Sequence, residues 1–94
     1  MTADPTTDAA LGDLRELLAA NDLALVDLVN RRLDLVEKIK HRKSELGVTF
    51  VDPEREAWLL DYLRGANTGR LSDEGLRELL TTVLDLTKRE LAGR

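Results

Sequence analysis

Three basic side chains, Arg15, Arg32 and Lys43, lie along a stretch that otherwise reads as a helix with an apolar seam. Arg32 and Lys43 are 11 residues apart. At 100° per residue they fall about 20° from eclipsed and about 16.5 Å apart along the axis. Both therefore share one helix face, and their long side chains can lean toward a single site between them. Cations converging in this way suit a small anion. Arg15 precedes Arg32 by 17 residues, which turns it about 100° away and sets it about 25 Å along the axis. It cannot reach that site within its own chain, but in an antiparallel dimer it reaches the site of the other copy.

Further on, Arg55 and Glu56 occupy the first turn of a second helix. In isolation such a pair is a solvated turn. Beside a cationic site, Arg55 can line it and Glu56 can accept a hydrogen bond from a hydroxyl. Asp52 caps that helix. Thr87 falls on the inner face of a third helix, where a hydroxyl more often bonds back to its own helix than to a ligand. A seam arginine such as Arg32 also has a structural reading, as a register device or an ion-pair partner, because a buried charge is costly unless paired.

The first helix must position the cations. Leu11, Leu14, Leu18, Leu25, Leu28, Leu35, Ile39 and Leu46 step by three and four, and no proline or glycine intervenes between Gly12 and Gly47. About 36 residues of helix measure about 54 Å, against a diameter of about 32 Å for a compact domain of this length. An overhanging apolar seam calls for a partner, and a second copy of the chain supplies one. Extending the heptad puts Asn21, Arg32 and Arg42 at seam positions as well.

Gly47 suits a C-terminal cap. Val48–Val51 reads as an extended connector packed on the helices. Asp52-Pro53 opens the second helix, with Leu59, Leu60 and Leu63 inward and an end near Gly65. Ala66–Arg70 is a turn-rich loop, and Ser72 caps the third helix. There Leu76, Leu79, Leu80, Val83, Leu86 and Leu91 form the apolar face. Trp58 and Tyr62 read as core or half-buried packing, His41 as a surface residue, and Lys88, Arg89 and Arg94 as compensation of a helix dipole. Residues 1–10 read as a mobile N-terminal tail, with Thr7 or Asp8 as the first cap, and residues 11–94 as one domain.

Composition agrees with an all-α chain: 43% hydrophobic but only 3% aromatic, with Gly 6 and Pro 2 in 94 residues. A net charge of -4 argues against a nucleic-acid or acidic-membrane partner, though a local cation cluster still accommodates a small anion. The absence of cysteine removes thiol chemistry and Cys-based zinc sites, and one histidine cannot form a cluster. There is no signal-peptide pattern and no apolar run of membrane-spanning length, so the expected location is the cytoplasm.

The order of motifs is Leu14-Arg15 with Asp22, Asn30-Arg31-Arg32, Lys43, Val51-Asp52-Pro53-Glu54-Arg55-Glu56, then Asn67-Thr68-Gly69-Arg70-Leu71-Ser72. From about Leu11 to Leu91 this resembles the all-helical chorismate mutase family, and in particular its short intracellular actinobacterial type. The resemblance implies an intertwined homodimer of three-helix chains, each with one long N-terminal helix, converting chorismate to prephenate without a cofactor or metal. It implies catalytic roles for Arg32, Lys43 and Glu56, and substrate-binding roles for Arg15, Asp52, Arg55 and Thr87. One position departs from the family pattern. Leu91 stands where many members carry Gln or Glu as a second donor to the substrate's ether oxygen. Losing one such donor costs on the order of 3–4 kcal/mol of transition-state stabilisation. The resemblance thus implies an enzyme that is slow alone, with docking on 3-deoxy-heptulosonate phosphate synthase as a route to activation through residues 91–94. Two other readings share the pattern: an isochorismate pyruvate-lyase on the same scaffold, and a non-catalytic helical dimerisation or regulatory module.

Overall fold

The computed structural model describes residues 8–92. Three helices follow one another: α1 (Ala9–Leu46), α2 (Pro53–Ala66) and α3 (Asp73–Leu91). The described residues contain no strand. None of their helices is long and apolar enough to cross a membrane. Thr7, Arg94 and most of the proposed tail lie outside the described residues, as does half of the 91–94 segment.

Local signals set the helix ends. The Leu11 amide donates to the Asp8 carboxylate at 2.8 Å, giving α1 its N-terminal cap. At the other end, Gly47 adopts φ 71°. Its amide donates to the Ser44 carbonyl at 3.2 Å, while the Val48 amide donates to Lys43 at 3.0 Å. This is the paired-bond stop that a left-handed glycine allows. The Asp52 carboxylate accepts from the Arg55 amide, and Ser72 Oγ accepts from the Gly75 amide. The Asn67 side chain ties the loop between α2 and α3, accepting from the Gly69 amide and donating to the Leu71 carbonyl.

The chain divides into two compact units, Met1–Asp34 and Leu35–Arg94. The first unit is the N-terminal part of α1. Its apolar side chains are open to solvent: Leu14 is 62% exposed, Leu18 59%, Leu25 55% and Leu28 60%, with Leu17, Leu23 and Val26 also exposed. They point in several directions around the helix, a pattern found where a helix is covered from more than one side.

The second unit holds the end of α1, the connector, α2 and α3, and its helix–helix packing is between α2 and α3. Leu76 and Leu80 are its buried apolar residues, and Thr87 is buried as well. Val36 on α1, Leu59, Leu60 and Leu63 on α2, and Val83, Leu84 and Leu86 on α3 are half-buried. Such a thin core gives limited stability by itself, as a small domain buries only a modest share of its surface.

Three packing expectations need correction. Leu79 is 51% exposed, because α3 turns the Leu76–Leu80 edge inward and leaves its neighbour outside. Trp58 and Tyr62 are 48% and 55% exposed, stacked on each other at 5.1 Å rather than inserted in the core. In the connector only Phe50 is half-buried, while Val48 and Val51 face solvent.

Candidate active site

Lys43, Glu56 and Thr87 belong to the second unit, on α1, α2 and α3 respectively. Side-chain bonds tie these elements together. Lys40 Nζ donates to the Leu91 carbonyl at 2.7 Å, fastening the end of α3 to α1. That carbonyl is one of those a helix terminus leaves without an intrahelical donor. The same ammonium lies 5.7 Å from the centre of the Phe50 ring. One turn on, Lys43 Nζ donates to the Phe50 carbonyl at 3.0 Å. Lys88 Nζ lies 3.1 Å from Glu56 Oε1, joining α3 to the start of α2.

Lys43 is half-buried, and among the described residues its ammonium makes no ion pair. An ammonium has three donors, and the Phe50 carbonyl takes one. The bond fixes where the charge sits while leaving two donors available. This is the condition for a cation that meets developing negative charge without rearranging first. Glu56, also half-buried, uses one oxygen toward Lys88 and keeps the other.

Thr87 is 4% exposed, and its hydroxyl donates to the Val83 carbonyl at 2.7 Å. This is the back-bonding expected of a helical threonine. Asp52 is exposed and serves as the α2 cap. Arg55 is exposed, with its guanidinium 3.8 Å from the centre of the Trp58 ring. An arginine so stacked is held in place by the ring face. Arg15 and Arg32 lie in the first unit, where Arg15 is exposed and Arg32 half-buried. His41 is on the surface as expected, 3.5 Å from Glu45. Arg42 is a surface residue too, paired with the same carboxylate at 3.7 Å.

The cross-helix contacts of Lys40 and Lys88 were not legible in the sequence. Lys88 read as dipole compensation in the last turn of α3, but it is bonded across to α2. Lys40 carried no distinguishing signal, since a lysine near the end of a helix is ordinary in any sequence.

The profile of the family described as chorismate mutase type II matches residues 14–90. The T-protein of Enterobacter agglomerans is 42% identical over 52 residues, which are 55% of this chain. The chain spans 14% of the length of that relative. Among solved structures, a chorismate mutase (form I) from Thermus thermophilus superposes with a TM-score of 0.80 at 29% identity. The similarity covers 83% of this chain and 98% of the Thermus chain.

Proposed function

The chain belongs to the type II chorismate mutase family, and from that premise we propose that it converts chorismate to prephenate. The observation that carries this reading is the extent of the family match. It runs from residue 14 to residue 90 and so includes Arg15, Arg32, Lys43, Asp52, Arg55, Glu56 and Thr87, while Leu91 and the residues after it lie beyond the match.

The reaction is a rearrangement within one molecule. An ether C–O bond breaks as a C–C bond forms, and no proton, oxidant or second substrate enters. Protein groups contribute by holding the substrate folded and by placing positive charge where the ether oxygen becomes negative. Lys43 donates to that oxygen with an ammonium already oriented by the Phe50 carbonyl. Arg32, and Arg15 from the partner chain, grip the two carboxylates. Glu56 accepts from the ring hydroxyl, supported by the backbone near Asp52. Arg55, braced on Trp58, lines the site. Thr87 stands beside a carboxylate and reaches it by turning its hydroxyl away from Val83.

The active form is a homodimer with shared sites. The open leucines on the first part of α1 support this, because they are the surface an intertwined partner covers. The missing donor at Leu91 makes the enzyme slow alone. Residues 91–94 are then where 3-deoxy-heptulosonate phosphate synthase raises turnover, an effect that removal of the residues beyond Glu90 abolishes.

Incubating the full chain with chorismate and, separately, with isochorismate tests the reaction class. Prephenate from chorismate without pyruvate release is the expected outcome. Pyruvate from isochorismate, with chorismate left intact, identifies the lyase instead.

A further inference from the structure

The contact between Lys88 and Glu56 joins residues 32 positions apart in sequence, on different helices. Their side chains remain 42% and 31% exposed. At such exposure an ion pair adds little to stability, because water and salt screen it and two flexible chains must be held still. Its effect is felt on the geometry of the carboxylate. Glu56 sits in the first turn of α2, with Asp52 and Glu54 nearby on the same turn. Without a cation it would present another negative charge to an incoming dianion.

We infer that Lys88 is a positioning residue for Glu56: it anchors Oε1, offsets the charge and leaves the second carboxylate oxygen aimed at the substrate hydroxyl. The inference rests on the role proposed for Glu56. Lys88 reaches that carboxylate from α3, one residue beyond the buried Thr87. The α3 register therefore sets both the threonine and the orientation of the glutamate. Anchoring one oxygen of a carboxylate restricts its rotation, and a single charge-assisted bond suffices for that. The ring hydroxyl then meets an acceptor already turned toward it.

Steady-state kinetics on the full chain test this with Lys88→Met, Lys88→Arg, Glu56→Gln and the double variant Glu56→Gln/Lys88→Met. Lys88→Met lowers kcat/KM for chorismate about 10- to 100-fold, the scale of one hydrogen bond to a charged group. Most of that change lies in KM, because the uncompensated carboxylate repels a dianion. Lys88→Arg restores activity to within about threefold, since a guanidinium keeps the pairing. In the Glu56→Gln background the Lys88→Met change has less than about a twofold effect, because its target is gone. An equal effect of Lys88→Met in both backgrounds overturns the inference, as does wild-type activity in Lys88→Met. Either result leaves the chorismate mutase reading standing provided the unaltered chain forms prephenate. If the unaltered chain leaves chorismate unchanged, both readings fall together.

Discussion

Lys43→Ala lowers kcat/KM for chorismate about a hundredfold to a thousandfold, while the far-ultraviolet circular dichroism of the chain stays that of a helical protein. The magnitude is that of removing one donor aimed at an oxygen that gains charge in the transition state. The structure explains why the loss is so specific. The ammonium makes one bond to the Phe50 carbonyl and, among the described residues, no ion pair. Truncation therefore strands no buried carboxylate. What remains is one lost hydrogen bond from a connector whose flanking valines already face solvent, which costs about 1 kcal/mol. Steady-state assays of wild type and variant, with spectra of both, separate catalysis from folding. Unchanged kcat/KM in the variant removes Lys43 from the ether oxygen.

Mixing two inactive variants restores activity. Arg15→Ala retains Lys43, and Lys43→Ala retains Arg15. If each site takes Lys43 from one chain and Arg15 from the other, one of the two sites in a mixed dimer is intact. Random exchange of equal amounts makes half of the dimers mixed, so about one quarter of all sites recover. Set against two parents each reduced about a hundredfold or more, this is a large signal. It appears only after subunits have exchanged, for instance by unfolding and refolding the mixture. A mixture no more active than its parents after exchange shows that Arg15 does not complete the site of its neighbour.

Much of the fold could be read from local chemistry. A Pro-free run with apolar steps of three and four fixes α1. Asp52-Pro53 and Ser72 fix the starts of α2 and α3, and Gly47 fixes the stop after α1, each through bonds closed within a few residues. Such signals act at short range and survive without knowledge of the tertiary packing. The pairing of Lys88 with Glu56 and of Lys40 with the Leu91 carbonyl left no such trace. Both depend on the register of one helix against another, and a lysine stem can swing its charge across several ångströms. The same limit explains Leu79 and the Trp58–Tyr62 pair. Periodicity gives a helix its apolar side, but how far around that side the neighbours reach is decided by packing within and between chains. Arg32 stood out because charge at an apolar seam position conflicts with burial, and local rules of this kind are broken where function or strain competes with packing.

If the basic groups of α1 hold a doubly negative small molecule, chorismate stabilises the fold. Thermal unfolding of the full chain with and without chorismate reads this. A ligand at about 100 times its dissociation constant stabilises the folded state by about 2.7 kcal/mol, which raises the midpoint by about 10 to 20 °C in a protein of this size. The predicted result is such a rise in the unaltered chain, with a smaller rise in Lys43→Ala. Superimposable unfolding curves with and without chorismate, in the unaltered chain at saturating concentration, would contradict it and leave the arginines and lysine as parts of the scaffold.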